Sequence, residues 1–127
     1  MKRRRFLILA AIVPGLFGLL NMLAPGEVRG ILTVDVNAAV TAVTRWYGFT
    51  TFSLGVINFL VRSDPGSPAL RAVMIGNIVF HVLAMSFQSG DYMAGLMTTS
   101  GLVMALVSHS LLAIGFAYFL FKLPRQQ

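Results

Sequence analysis

Residues 99–121 read TSGLVMALVSHSLLAIGFAYFLF and contain no Lys, Arg, Asp or Glu. A helix rises 1.5 Å per residue, so about 20 apolar residues cross the hydrocarbon core of a bilayer. Apolar residues occupy every face of this stretch, whereas a helix on the surface of a soluble protein keeps a polar face. The stretch therefore predicts a helix that spans a membrane.

Three more stretches of similar length and composition precede it, at residues 6–24, 42–61 and 69–89. None of the four shows the strict alternation of apolar and polar residues that marks a strand of a membrane barrel. Together they predict an all-α protein, an integral membrane four-helix bundle that forms a single transmembrane domain over residues 1–127. Its first partner is then the lipid bilayer.

The overall composition supports a membrane protein and excludes several other classes. Hydrophobic residues make up 57% of the chain and charged residues only 11%, against about a quarter charged in a soluble domain. The formal net charge is +6, but the basic residues lie at segment ends and form no basic face, so we expect no nucleic-acid partner. The chain has no cysteine, which excludes disulfides, iron–sulfur clusters and thiolate metal sites.

The basic residues also predict the orientation of the spans, because Lys and Arg concentrate on the cytoplasmic side of membrane proteins. With both termini in the cytoplasm, eight basic residues lie inside and two lie outside. The inner eight are Lys2, Arg3, Arg4, Arg5, Arg62, Arg71, Lys122 and Arg125, and the outer two are Arg29 and Arg45. We therefore expect a multi-pass protein of the cell (inner) membrane with both termini cytoplasmic.

The first stretch has a second interpretation. Its basic start and apolar core resemble a secretory signal, and residues 3–7 (RRRFL) resemble a twin-arginine core. Signal cores are usually about 7–15 residues long and precede a small-x-small cleavage site. The core here is longer and no such site stands out before Pro25, so we expect the first helix to be retained.

The connections between spans are predicted from their turn residues. Residues 25–27 (PGE) end the first helix and begin the longest loop, which runs to Thr41. Asp35 is expected to cap the second spanning helix. Residues 63–68 (SDPGSP) predict a turn before the third span, and Asp91 is expected to cap the segment that leads into the fourth.

The two histidines, His81 and His109, lie within two residues of the middle of the third and fourth stretches. Both are expected within about 3 Å of the bilayer midplane, and consecutive helices with a short connection are usually neighbours. Two facing histidines can bind the axial positions of a haem. Alternatively they hydrogen-bond to neighbouring helices, with Asn77 and Ser108 close at hand, or serve a proton or quinone role. The sequence favours the structural role, because hydrogen-bond partners are at hand, and we expect no haem or other cofactor. We also expect no metal, because no nearby carboxylate or thiol would complete a metal site.

Arg45 lies one turn inside the outer end of the second stretch, where a charge is costly unless it reaches the interface or finds a partner. It either anchors the helix beside Trp46 and Tyr47, or it points into the bundle and pairs with an aspartate or an anionic ligand. No catalytic residue is predicted. The candidate ligand-binding residues are Arg45, Asn77, His81 and His109.

Small residues and one proline predict how the helices pack. Gly48 and Gly55 follow a helical stripe on the second span, and Gly15 and Gly18 lie on the first. Small residues let transmembrane helices approach closely. Pro14 should kink the first helix and free a backbone carbonyl for a neighbour.

Two functions are compatible with these features. No span carries the positioned acid, base or nucleophile of an enzyme, and small-residue faces suggest docking to other helices. The sequence thus favours a small non-catalytic accessory or interaction subunit, in a homo-oligomer or a larger membrane complex. The alternative is a binder or carrier of a small lipophilic ligand (quinone, lipid or haem) that uses His81 and His109 with Arg45.

The start of the second span, Arg45-Trp46-Tyr47-Gly48, followed by Gly55 and Arg62, resembles small bacterial four-helix membrane proteins of the DoxX-like and DUF4345-like groups. Residues 115–121 (GFAYFLF) also resemble these groups. The resemblance implies a four-helix membrane fold without assigned catalytic residues.

Overall fold

In the computed structural model, which describes residues 2–33 and 37–124, the chain is helical apart from short turns. The helices are α1 (Arg3–Leu23), α2 (Pro25–Leu32), α3 (Ala38–Leu60), α4 (Pro68–Met93) and α5 (Thr99–Phe121), with a 3-10 turn at Val61–Ser63. Within the described ranges there is no strand beyond an isolated bridge between Thr33 and Met97. The predicted all-α class is confirmed.

Three helices, α1, α4 and α5, are long and apolar enough to cross a membrane. They contain 21, 26 and 23 residues and match the stretches predicted at 6–24, 69–89 and 99–121. Large apolar side chains point outwards from all three, for example Leu16, Leu83 and Leu111. A surface of this kind suits lipid and not water, so the prediction of transmembrane helices is confirmed for these stretches.

The stretch predicted at 42–61 corresponds to α3, which begins earlier, at Ala38. Its cap is Asn37, whose side-chain oxygen accepts a hydrogen bond from the Val40 amide at 3.0 Å. Asparagine at this position satisfies an amide that the helix leaves unpaired. Asp35, the predicted cap, lies outside the described residues.

The long loop predicted after the first span is wrong in its first half, because Pro25 starts the helix α2. Proline suits the first turn of a helix, where its missing N–H would be unpaired anyway. Glu27 in the first turn and Arg29 in the last turn also complement the helix dipole. The Pro-Gly pair that suggested a loop is therefore a helix start.

The predicted cap at Asp91 is also wrong, because α4 continues to Met93 and contains it. Thr98 caps α5 instead, and its hydroxyl accepts from the Gly101 amide at 3.0 Å. The turn predicted at residues 63–68 is present. There the Asp64 carboxylate accepts hydrogen bonds from the Ser67 hydroxyl and from the amides of Ser67 and Gly66, and these bonds hold the pKa of Asp64 below its ordinary value.

The long helices run up and down, as hydrogen bonds at the two ends of the molecule show. At one end Arg3 donates to the Asp64 carbonyl at 2.5 Å, and Arg71 donates to the Leu123 carbonyl at 3.2 Å. At the other end the Thr98 amide donates to the Leu32 carbonyl at 3.1 Å. The start of α1, the α3–α4 turn and the end of α5 therefore share one end of the bundle.

The long helices form two close pairs, α1 with α3 and α4 with α5, and the contacts between the pairs are sparse. Glycines bring α1 and α3 together. A Cβ on Gly18 would lie 2.7 Å from the Gly48 carbonyl oxygen, and one on Gly55 would lie 2.7 Å from the Ala11 carbonyl oxygen. The predicted close-packing face is confirmed at these glycines.

An apolar core joins the two pairs at the end of the bundle that holds Arg3 and Leu123. In it the rings of Phe6 and Phe116 meet edge to face, with centroids 4.9 Å apart. The buried members of this core are Phe6, Leu7, Ala10, Leu70, Met74, Phe116, Phe119 and Leu123.

Two asparagines add a polar link between the pairs. The amides of Asn58 and Asn77 exchange hydrogen bonds of 3.0 and 2.9 Å, and Asn58 also donates to the Ala10 carbonyl at 3.0 Å. Pro14 has no N–H to offer to Ala10, four residues earlier in α1. The prediction that Pro14 frees a carbonyl for a neighbour is confirmed.

Candidate ligand-binding cavity

A cavity of about 200 Å³ lies between the two helix pairs. Its walls are mostly apolar or aromatic, with Pro14 and Phe17 from α1, Phe80 from α4 and Leu112 from α5. It exists because the pairs are held together by the apolar core and by the asparagine link and make few other contacts. A largely apolar, concave space with a few polar groups is the usual form of a small-molecule site.

The two histidines meet in the wall of this cavity. His81 and His109 are 2% and 9% exposed, and their Nδ1 atoms are 2.8 Å apart. At that distance one ring donates its Nδ1–H and the other accepts it. The sequence left open whether the two imidazoles meet, and the structure shows that they do. An iron between two nitrogens separates them by about 4 Å, twice a metal–nitrogen bond, so the rings are not spaced for a haem.

The outward-facing nitrogens of the pair have different surroundings. The Nε2 atom of His109 lies 3.4 Å from the Nε2 atom of Gln88. The Nε2 atom of His81 is buried and has no hydrogen-bond partner among the described residues. The Oε1 atom of Gln88 is likewise buried and without a partner there. Since leaving a buried polar atom unpaired costs about 1–3 kcal/mol, such atoms usually mark a missing partner.

The arginine in the cavity wall is Arg29 of α2, and the candidate Arg45 is not part of it. The Nε atom of Arg29 donates to the Thr44 hydroxyl at 2.7 Å, and that hydroxyl in turn donates to the Val40 carbonyl. Arg45 is exposed on the outside of α3, which agrees with its interpretation as an anchor. The interpretation that aimed Arg45 into the bundle is corrected, because its neighbour Thr44 occupies the inward position.

The structure thus brings together two of the four candidate residues. His81 and His109 line the cavity, whereas Asn77 is buried in its link to Asn58 and does not line it. Four polar residues of the wall were not predicted, namely Arg29, Tyr47, Thr51 and Gln88. One signal for Gln88 was present in the sequence, since two helical turns separate it from His81 and place both on one face of α4.

Comparisons of the chain with protein-family models, curated proteins and solved structures found no match. Within the residues that the structure describes, no group of three or more His, Cys, Asp or Glu side chains could hold a metal ion. What the site can do must therefore be argued from its geometry.

The cavity adjoins a second space between α3 and α4, two helices that make few contacts with each other. This second space of about 310 Å³ shares Arg29, Tyr47 and Gln88 with the cavity and is bounded further out by Leu83 and Phe87. Leu83 is 50% exposed and Phe87 is 72% exposed on this apolar surface. An apolar chain attached to a molecule in the cavity would have a path outwards here.

Proposed function

We propose that this protein crosses the membrane four times and binds a small lipophilic molecule with a polar head group in the cavity between its helix pairs. The observation that carries the proposal is the largely apolar cavity of about 200 Å³, whose wall also holds a few polar side chains, among them Arg29 and the hydrogen-bonded pair of His81 and His109. A ligand that enters from the bilayer would find both apolar walls and hydrogen-bonding groups there.

The fourth crossing in this proposal is α3. Its 23 residues correspond to about 34 Å at the rise of an α-helix, enough for the hydrocarbon core. It packs closely along α1, and its one charged residue, Arg45, lies within reach of the interface. With the predicted excess of basic residues on one side, both termini would lie in the cytoplasm and the protein would sit in the inner membrane.

The size of the cavity restricts the ligand. An engineered apolar cavity of about 150 Å³ in another protein is large enough for benzene, and the space here is about 200 Å³. A single ring with a few substituents fits, whereas the head group and two chains of a phospholipid do not. Apolar and aromatic walls favour such a ring.

The docking-subunit alternative rests on small-residue faces that need a partner helix. Most of these faces already pack against another helix of the same chain. A Cβ on Gly48 would lie 2.8 Å from the Gly18 carbonyl oxygen, and one on Gly101 would lie 2.6 Å from the Leu32 carbonyl oxygen. Because these glycines serve internal packing, they do not require a partner helix, and we favour the ligand binder.

The test uses a cavity-filling variant and a matched control. In Ala105→Phe the added ring enters the cavity wall, whereas in Ala72→Phe it joins the exposed surface of α4. We expect the purified protein to bind an alkyl-substituted benzoquinone saturably and to unfold at a higher temperature with it. Ala105→Phe should weaken binding at least about tenfold, the equivalent of 1.4 kcal/mol.

Ala72→Phe should bind as the unchanged protein does. Native mass spectrometry and thermal unfolding at a series of probe concentrations measure both effects. The proposal is wrong if the unchanged protein shows no saturable binding of the probe, or if both variants lose it equally.

A further inference from the structure

We infer that the ligand of the cavity is an anion, a single apolar ring that carries a carboxylate, and that Arg29 binds its charge. The inference rests on the proposed function, because it names the class of ligand for the same cavity. A bound carboxylate would supply the negative charge that the described wall of the cavity lacks.

Arg29 carries the only full charge in the described wall of the cavity, and no Asp or Glu of the described residues lines it. The other polar side chains there are hydroxyl and amide groups and the hydrogen-bonded pair of histidines. Arginine keeps its charge in proteins. In surroundings of low polarity, a charge attracts an opposite charge far more strongly than it does in water. The cavity should therefore distinguish ligands by charge and favour an anion.

The side chain of Arg29 is fixed in the wall through one of its nitrogens. Its Nε atom donates to the Thr44 hydroxyl at 2.7 Å, and Thr44 is fully buried. Among the described residues this is the one hydrogen bond of the Arg29 side chain, so the N–H groups of its two Nη atoms are available to another acceptor. A guanidinium held in this way presents a planar fork of N–H groups, which matches the two oxygens of a carboxylate.

Two acidic residues of the described chain lie near enough to be considered as partners of Arg29. Glu27 is two residues earlier in α2, and side chains at that spacing do not face each other on a helix. Asp91 borders the second space but not the cavity, and it is exposed. Within the described ranges neither carboxylate forms an ion pair with Arg29. The cavity is therefore the place from which an anion can reach the guanidinium.

Two further donors lie beside Arg29. Tyr47 and Gln88 line both the cavity and the second space, as Arg29 does. The phenol of Tyr47 and the amide of Gln88 can each donate a hydrogen bond. A carboxylate accepts up to about four hydrogen bonds, so these donors can complete the set that Arg29 begins.

The position of Arg29 suits a ligand with one charged end. Arg29 lies about one helical turn before Leu32, whose carbonyl accepts from the Thr98 amide at one end of the bundle. The opposite part of the wall includes Phe80 and Leu112, which lie near the middle of α4 and α5. A carboxylate at Arg29 would therefore leave the apolar ring among apolar and aromatic side chains.

The experiment compares two probes that differ in charge at one group. They are para-butylbenzoate and para-butylbenzamide, which share the ring and the chain. Isothermal titration of the purified protein in a non-ionic detergent measures both affinities. We expect the benzoate to bind at least about tenfold more tightly than the benzamide, because a hydrogen bond between charged groups contributes more than one between neutral groups.

Arg29→Gln removes the charge and keeps a donor. In this variant the affinities for the two probes should agree within about threefold, a difference smaller than one net hydrogen bond. The benzamide should still bind, which shows that the cavity is intact. Arg45→Gln is the matched control, because it removes the same charge from the exposed side of α3 and should keep the preference for the benzoate.

Three results would overturn the inference and leave the proposed function standing. They are equal affinities of the unchanged protein for the two probes, a preference for the benzoate that survives in Arg29→Gln, and an equal loss of that preference in both arginine variants. Binding of neither probe to the unchanged protein would overturn the inference and the proposed function together.

A second measurement does not depend on a folded variant. Phenylglyoxal modifies arginine side chains, and mass spectrometry of the peptides shows which arginines have reacted. At a benzoate concentration of about ten times its Kd, modification of Arg29 should slow by about tenfold, in proportion to the occupied fraction. Modification of Arg45 should not change. Equal rates at Arg29 with and without the benzoate would contradict the inference.

Discussion

Asn58 joins three helices through one side chain. It donates from α3 to the Ala10 carbonyl of α1 and exchanges two hydrogen bonds with Asn77 of α4. Both asparagines are at most 1% exposed, so no water replaces a lost partner. Removing one of them leaves the other amide with buried, unpaired atoms.

We therefore expect Asn58→Leu and Asn77→Leu each to lower the free energy of unfolding by about 1–2 kcal/mol, within the range of interhelical hydrogen bonds in membranes. The double variant should lose less than the sum, because the second substitution removes a group that is already unpaired. Ser86→Ala is the control, since that hydroxyl bonds within its own helix. Reversible unfolding in mixed micelles measures all four, and strict additivity would show that the two amides do not act as a pair.

Some of these residues could be predicted from local rules and others could not. Because Pro14 has no N–H, the sequence predicts that the Ala10 carbonyl is free to accept a hydrogen bond from a neighbour. Two midspan histidines on consecutive helices made a meeting possible, but whether their rings face each other depends on the rotation of the helices. Arg29 and Arg45 have no such signal, because which of two arginines enters the bundle depends on the rotation of helices that are apolar on every face.

At the scale of the elements, the glycines of α1 and α3 decide how closely these helices approach. A Gly→Ala change in a helix interior normally stabilises by about 0.5–1 kcal/mol. At Gly48 the new methyl group would lie 2.8 Å from the Gly18 carbonyl oxygen, a backbone atom that cannot move aside. Gly76 of α4 faces open space.

Gly48→Ala should therefore destabilise the protein by about 1–3 kcal/mol, the usual cost of overpacking, whereas Gly76→Ala should be neutral or slightly stabilising. Thermal unfolding in one detergent compares the two variants directly. If both variants shift the midpoint in the same direction, the close approach of α1 and α3 is not what Gly48 provides.

The long elements could be predicted because apolar runs of about 20 residues seldom occur outside membrane spans. The short helix α2 was missed for a definite reason. Proline and glycine at positions 25 and 26 are typical of a turn, and proline is equally typical of a first helical turn. The signal that favoured the helix was an acidic residue, Glu27, near its start and a basic residue, Arg29, near its end, since both charges complement the helix dipole. Missing α2 also meant missing Arg29, since a residue in a long loop is not expected in a cavity wall.

At the scale of the whole molecule, the cavity follows from where the two helix pairs touch. The apolar core lies at the end that holds Arg3 and Leu123, and the asparagine link lies next to it. Among the described residues, the short helix α2 also contacts both pairs, through α3 and α5. The sequence could not predict this arrangement, because lipid-facing and core-facing residues are equally apolar and periodicity does not separate them.

The proposed topology can be tested cleanly because the chain has no cysteine. Ser63 lies at the α3–α4 turn and Ser100 near the start of α5, at opposite ends of the bundle, and both are exposed. With four spans and a cytoplasmic N-terminus, a membrane-impermeant maleimide should label Ser100→Cys in intact cells and Ser63→Cys only after permeabilisation. If α3 remained outside the bilayer, only three helices would cross and the two results would be exchanged.

A third variant, Ser53→Cys, tests the crossing of α3 directly, because this residue lies on the exposed surface of that helix. Lipid should protect it in both preparations, and rapid labelling there would contradict the crossing of α3.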